Sequence, residues 1–551
     1  MNSHTIVAQW VDIMTENISP VRLEVRDGRI YSIERVERAP QIYLCPGFVD
    51  AHIHVESSML VPSEFAKLAV RHGTVATVSD PHEIANVLGV RGVDFMLEDA
   101  AQSPLKIFFG APSCVPATAF ETAGARLGVE EVRELLARPQ IHYLAEMMNW
   151  PGAIHGDPEV LAKIEAAKAA GKPVDGHAPG LKGADALAYI GRGITTDHEC
   201  YTEEEARFKL QNGMKVIIRE GSAARNFEAL IPLLDEFPHQ IMFCSDDKHP
   251  DELLQGHINQ LAARAAAKVD DVFKALRAAC VNPVRHYGLP VGLLRPGDPA
   301  DFVLLKDIKT LEVFQTYIDG QLVAEEGREL FRTSPPLPEN YFEAQPRRPE
   351  DFRVANPGGM VRVIEAIDSE LVTRQVPVRA WSSGPWLEAD PARDLLKIAV
   401  VNRYRDRPVA AGFVLNFGLR QGAIASTVAH DSHNIIAVGA DDASICQAVN
   451  LLVESRGGLA AVSPLGQRVL PLPVAGLMST LPGDKVAAEY TQIHMMAREM
   501  GSRLRSPFMT LSFMALLVIP DLKISDLGLF DGQSFSLVGL AVPAPGDPPK
   551  Q

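Results

Sequence analysis

The chain has 551 residues, of which 46% are hydrophobic and 22% charged, with a formal net charge of −16. That length implies more than one unit with a sizeable core, and the composition excludes a disordered chain. The acidic excess repels polyphosphate and anionic lipid, which excludes nucleic acid and a membrane surface as main partners and leaves a small neutral or cationic molecule.

Residues 1–45 hold short alternating runs such as "VRLEVRDGRIYSIERV", where Asp27-Gly28 marks a hairpin, so a small β-unit opens the chain. From residue 46 to 285, short apolar strands alternate with Ala-rich helical stretches. "TVATVS" is followed by "GVRGVDFMLEDAAQ", "IHYLAEM" by "PEVLAKIEAAKAAG", and "QIMFCSDD" by "DELLQGHINQLAARAAA". Repeated β-then-α units of this spacing predict a parallel sheet, either doubly wound or closed as a (β/α)8 barrel. "GLLRPGDPADFVLL" and "LEVFQTYIDGQLVAEEG" then return to the hairpin pattern, so residues 286–335 are expected to complete the opening β-unit as a small β-sandwich. A Pro- and charge-rich stretch, 336–352, reads as a linker, and 353–551 as a separate C-terminal α/β domain.

The six cysteines, Cys45, Cys114, Cys200, Cys244, Cys280 and Cys446, lie far apart with no C-x-x-C pair. Neither a disulfide framework nor a thiolate zinc site is suggested, and a reducing compartment fits. No basic segment leads into an apolar core at the N-terminus, and the run "FMTLSFMALLVIP" is too short to span a bilayer, so a cytoplasmic protein is expected.

The chemistry sits where strands end. In "PGFVDAHIHVESSML" the strand stops at His52 and His54, whose i, i+2 spacing puts both imidazoles on one side. Later strand ends supply Glu146 in "YLAEMMNWPG", His177 in "VDGHAPG", His198 in "TTDHEC" and Asp246 in "FCSDDKHP". Nitrogen and carboxylate donors without thiolate suit Zn²⁺, Fe²⁺ or Mn²⁺, and six such ligands hold two ions if one carboxylate bridges.

These residues resemble the amidohydrolase superfamily of metal-dependent barrel hydrolases. Within it, "FVDAHIHVESSM", "SDPHEIANVLG", "LAEMMNWPG", "DGHAPG", "DHEC", "SDDKHP" and "AHDSHN" together resemble its bacterial adenine deaminase branch over nearly the whole chain. The resemblance implies hydrolysis of adenine to hypoxanthine and ammonia at a two-metal site, with Fe²⁺ or Mn²⁺ as working metals and Zn²⁺ as the alternative. Where many members carry a bridging carboxylated lysine, this chain has Glu146, as that branch does. A homo-oligomer, a dimer, is the expected assembly.

In this reading His52, His54, Glu146, His177, His198 and Asp246 hold the metals, and Asp246 also moves a proton. Glu83, in the loop after "TVATVS", is expected to be a carboxyl kept protonated to donate to ring N1. Asp80 and His82 would orient it or touch the purine, while Ser57 and Glu56 either line the purine pocket or serve a helix N-terminus. Asp247 is expected to point elsewhere, His249 to be structural, and "HDSHN" (430–434) to form a further metal site, reach across to the barrel or serve packing. The competing functions are hydrolysis of a cyclic amide, deamination of another 6-substituted purine, and a non-catalytic assembly-forming relative.

Overall fold

The computed structural model describes residues 3–542. Eight parallel strands form its centre: Phe48–Ile53, Thr74–Ser79, Lys106–Ala111, Ile141–Met147, Val174–Gly176, Thr196–Asp197, Lys215–Arg219 and Ile241–Cys244. The first five pair in sequence order, as do the last three. The two sets join where the Thr195 N–H donates to Val174 O at 2.9 Å. The ring closes where Asp246 N–H donates to His52 O at 3.0 Å and His54 N–H to Asp246 O at 3.3 Å. The sheet is therefore a (β/α)8 barrel. Its first strand is buried at every position, as a strand covered by helices outside and packed side chains inside must be. Because strand closure itself runs through His52, His54 and Asp246, the same backbone bonds that shut the barrel aim these three side chains at one rim.

Both flanks of the barrel enter one further sheet. Tyr43–Pro46 pairs with Ser3–Asp12 on one side and with Phe302–Asp307 on the other, giving eight strands in a continuous sheet with its own apolar cluster. The Asp27-Gly28 hairpin joins Asn17–Arg26 to Arg29–Arg35, with φ of +48° and +79° at the two turn residues. Both angles lie in the left-handed region that a tight hairpin turn requires.

Residues 330–348 have no regular structure, but they are not a free linker. Phe342 and Phe352 are buried in the cluster that holds helix Asp442–Ser455 against its sheet, so the segment straps the C-terminal unit. That unit centres on a mixed sheet with Leu396–Val401, Ile435–Gly439, Ala423–Ser426 and Gly458–Ser463 in its middle. Alternation decides its two faces. Ala423, Ala425, Ile435 and Ala437 pack toward helix Asp442–Ser455, while Ile424, Ile436 and Val438 join the main core with Phe508 and Phe513. The apolar run near residue 510 is the buried helix Pro507–Phe513, and among the described residues no helix is long and apolar enough to cross a membrane.

The C-terminal unit packs against the barrel, and its 430–434 loop reaches the rim where the strands end. Helix Gly483–Glu499 packs against barrel helices Pro62–Arg71 and Pro250–Gln255. The Arg71 guanidinium grips both oxygens of Asp484 at 2.8 and 2.7 Å, and Ser479 N–H donates to Met59 O at 2.8 Å.

One buried ion pair sets the turn that carries His198. Lys209, 1% exposed, donates to Asp197, to Glu205 at 2.7 Å and to Ala178 O at 2.8 Å, while Asp197 accepts the Glu199 N–H at 2.8 Å. Replacing Lys209 with Met leaves two buried carboxylates without a counter-ion. The expected loss is about 3–5 kcal/mol in urea unfolding, far above a surface substitution; a loss under about 1 kcal/mol would show that the pair is dispensable.

Candidate metal centre and active site

Every ligand expected from the sequence lies at the barrel rim and is buried: His52, His54, Glu146, His177, His198 and Asp246. Glu146 stands in the middle. Its Oε1 is 3.5 Å from His54 Nε2, and its Oε2 is 2.9 Å from His177 Nδ1 and 3.1 Å from His198 Nε2. Asp246 Oδ1 lies 3.2 Å from His54 Nε2 and 3.6 Å from His52 Nε2, and the two imidazole nitrogens are 3.2 Å apart. One carboxylate therefore faces two groups of donors, the arrangement a bridging ligand needs.

Local backbone explains the placement. Asp246 adopts φ +51°, a left-handed conformation that turns its side chain inward directly after its strand. Before His177, Gly176 packs so closely on the neighbouring strand that a Cβ there would sit 2.4 Å from Thr196 O, so only glycine lets the two strand ends approach.

Carboxyl groups outnumber the permanent cations in the cavity. The cavity is lined by Glu83, Glu146, Glu199, Asp246, Asp247 and Asp431, six carboxyl groups, against one permanent cation, Arg219. Arg219 is already committed, to Glu199 and, at 2.8 Å, to Asp246 Oδ2. Burial pushes the Asp246 carboxyl up, but Arg219 and the facing imidazoles hold it well below the usual carboxylate range. Burial together with the His198 and His54 rings lowers His52 well below the usual imidazole range, which leaves it neutral with a lone pair to give. At His54, Nδ1 lies 3.2 Å from the Asp80 carbonyl, which can only accept, so in the neutral ring Nε2 presents its lone pair to the cavity. Buried atoms without a hydrogen-bond partner cluster here too: His52 Nδ1, His177 Nε2 and Asp431 Oδ2. Each would cost about 1–3 kcal/mol if nothing met it. Burial lowers His54, His177 and His198, but the facing carboxylates outweigh it and raise all three, His198 to about 9, so these rings carry protons that a divalent cation would replace. Crowded carboxylates, imidazoles and orphaned atoms together fit divalent metal binding.

Several residues stand otherwise than the sequence suggests. Ser57, expected near the purine, spends its hydroxyl on Asp247 Oδ1 at 2.5 Å and does not line the cavity. Asp80 is likewise absent from the lining. Its Oδ1 accepts the His82 N–H at 3.0 Å and its Oδ2 lies 3.0 Å from His82 Nδ1, so it orients His82. Asp247 lines the cavity instead of pointing away. Glu56 accepts the Ile84 N–H at 3.2 Å, and burial raises its pKa to about 7. His249 is buried against Tyr490, with ring centroids 4.6 Å apart.

Glu83 does line the cavity, but it is not kept protonated. Burial raises its pKa, yet His430, His433 and His82 outweigh burial and hold it well below the usual range. His430 Nδ1 contacts Glu83 Oε1 and His433 Nε2 contacts Glu83 Oε2, so the "HDSHN" segment does reach the barrel.

Three residues were overlooked in the sequence or given too small a part. Glu199 Oε1 is 3.5 Å from His198 Nε2 and 3.7 Å from His177 Nδ1. Its signal was present, a carboxylate beside a strand-end histidine in "DHEC". His82 Nδ1 is 3.4 Å from Glu146 Oε1, and with His54, Asp80 and Glu146 it forms a set whose donor atoms lie within 4.8 Å of one another. Arg219 ends the seventh strand, and nothing in its neighbourhood of sequence announced a role.

Comparison with known proteins follows from this geometry. The amidohydrolase family model matches residues 43–323, and the model of the adenine deaminase C-terminal domain matches residues 370–536. The chain is 56% identical over 538 residues to an adenine deaminase of Salinibacter ruber, covering 97% of this chain and 98% of that protein. It is 54% identical to one from a Sulfurovum species (96% and 98%) and 48% identical to one from Borreliella burgdorferi (98% and 100%).

If Glu146 joins two donor groups, its loss must be felt by both. Glu146→Ala is expected to lower metal affinity by more than about 10²-fold, beyond the usual effect of losing an outer hydrogen-bond partner. Metal content after dialysis against a graded chelator measures it, with Ser57→Ala as the variant that keeps its metal. Equal retention in both would remove Glu146 from the centre.

Proposed function

We propose that this chain, which belongs to the adenine deaminase family of amidohydrolases, hydrolyses adenine to hypoxanthine and ammonia, with His52, His54, Glu146, His177, His198 and Asp246 holding two divalent cations. The observation that carries the reading is the Glu146 carboxylate standing between two imidazole groups in a cavity that also contains Glu83 and Asp246. Iron(II) or manganese(II) suits this thiolate-free set, with zinc as the alternative. Such ions supply a water-derived nucleophile at neutral pH, where bulk water, with a pKa of about 15.7, supplies almost none.

The residues themselves must move two protons. Deamination at C6 consumes one water, one of whose protons ends on ring N1 and the other on the leaving amine. Because Glu83 is held ionised, it acts first as a base: it takes the first water proton and, now a carboxylic acid, gives it to N1. Asp246, also ionised, takes the remaining proton from the hydroxyl on C6 and gives it to the amine, which departs as ammonia while C6 becomes a carbonyl. Both carboxylates end as they began, and the atoms balance. Arg219 keeps Asp246 oriented through its 2.8 Å contact.

Substrate size follows from charge. The one guanidinium in the cavity is already paired with Glu199 and Asp246 and is not available to a phosphate, which favours the free base over a nucleotide. A cyclic amide hydrolase would have no use for a carboxylate at N1, and Glu83 in the cavity counts against it. A non-catalytic relative would have no reason to keep the full donor set.

Ammonia release by the metal-loaded protein from adenine, adenosine, AMP and a panel of lactams tests the reading. Adenine is expected to be turned over fastest; faster turnover of adenosine, AMP or a lactam would refute it. Glu83→Gln keeps the shape but cannot carry a proton, so kcat is expected to fall by about 10²- to 10⁴-fold with metal content unchanged. Near-normal kcat in that variant would send the search for the N1 acid elsewhere.

A further inference from the structure

Glu83 is held from outside the barrel. Its two oxygens are each met by an imidazole of the C-terminal unit, Oε1 by His430 Nδ1 and Oε2 by His433 Nε2, from positions 347 and 350 residues away in sequence. All three side chains are nearly fully buried, at 1% exposure for Glu83, 3% for His430 and 0% for His433.

The loop that carries the two histidines is itself tightly fixed. It joins Ala423–Ser426 to Ile435–Gly439 in the middle of the C-terminal sheet. His433 N–H donates to Ala429 O at 2.8 Å, and Tyr404 OH donates to Ser432 O at 2.7 Å. Asn434 accepts the Arg403 N–H at 3.0 Å and donates to Thr122 O, in the loop after the third barrel strand, at 2.8 Å. The ring of His433 is oriented as well. Its Nδ1 accepts the Ala429 N–H at 3.2 Å, which places the ring proton of the neutral form on Nε2, where it faces Glu83. His430 packs on Phe513 with ring centroids 5.4 Å apart. A carboxylate gripped at both oxygens by rings that are themselves held cannot rotate about its last bond.

We propose that His430 and His433 are positioning residues that fix the Glu83 carboxylate for proton transfer, so that the active site is completed only by the docked C-terminal domain. This rests on the adenine deaminase reading given above. The consequence is a division of labour: the barrel supplies the metal donors and Asp246, and the second domain sets the geometry of the other proton-transfer group. A misplacement of about 1 Å in such a group is enough to cost about 10² in rate.

A glutamine amide nitrogen reproduces the Nε2 donor of histidine and an asparagine amide reproduces Nδ1, so the test compares His433→Ala with His433→Gln, each in the wild-type and the Glu83→Gln background. With the full-length, metal-loaded protein and adenine, His433→Ala is expected to lower kcat by about 10²-fold. KM should stay within about three-fold and metal content should be unchanged, since the residue acts through Glu83 and not on the metal donors. His433→Gln is expected to recover at least about ten-fold of that loss. In the Glu83→Gln background His433→Ala should add no further loss, because the group it positions no longer works. A kcat for His433→Ala within about three-fold of wild type, no recovery with Gln, or an undiminished further loss in the Glu83→Gln background would each overturn the proposal. Should His433→Ala not fold, His430→Asn against His430→Ala makes the same comparison at the other oxygen. Wild-type protein inactive on adenine would instead overturn the functional reading and this inference with it.

Discussion

The site is organised by buried carboxyl groups crowded around one of their number, Glu146. Glu146 presents Oε1 toward His54 and His82 and Oε2 toward His177 and His198, inside a cavity whose other carboxyl groups outnumber the single guanidinium. Buried charge of one sign is tolerated only when it is paired. Part of the pairing is internal, as Arg219 holds Glu199 and Asp246 and the C-terminal histidines hold Glu83. Around Glu146 the pairing charge comes from His54, His177 and His198, whose pKa the carboxylates raise against burial, and a divalent cation on the same rings would supply that charge in place of their protons. Metal binding and burial are thus two sides of one electrostatic requirement.

Burial comes from the second domain. The 430–434 loop walls the cavity at the rim, and Arg71–Asp484, Met59–Ser479 and Thr122–Asn434 contacts fasten the two parts. Leu371 and Leu516 line the cavity from that side and give it an apolar wall. A dry wall strengthens each charge–charge contact inside, so the cover keeps both Asp246 and Glu83 under the influence of their partners rather than of solvent.

Much of this was legible in the sequence because barrel chemistry is local. His52-x-His54 sits on a strand end, and strand periodicity alone sends both rings to one side. Glu146, His177, His198 and Asp246 each stand at the end of a short strand, so the repeated β-then-α pattern carried both the fold and the candidate donor set. What the sequence hid was non-local. Whether Glu83 is protonated depends on His430 and His433, more than three hundred residues away, and no window of sequence contains both. Arg219 looked like any strand-end arginine until Glu199 and Asp246 were seen on either side of it. Ser57 and Asp80 lay in the right loops but turned to Asp247 and His82, since short polar side chains take the nearest partner. The stretch 336–352 read as a linker because its composition is polar, yet two buried phenylalanines, Phe342 and Phe352, anchor it.

The central claim is that one carboxylate joins two metal ions at the barrel rim. Anomalous diffraction from crystals of the manganese-loaded protein tests it most directly. Two peaks are expected, each within about 2.0–2.3 Å of a different Glu146 oxygen, with His52, His54 and Asp246 around one and His177 and His198 around the other. A single peak, or two peaks with Glu146 bound to neither, would contradict it.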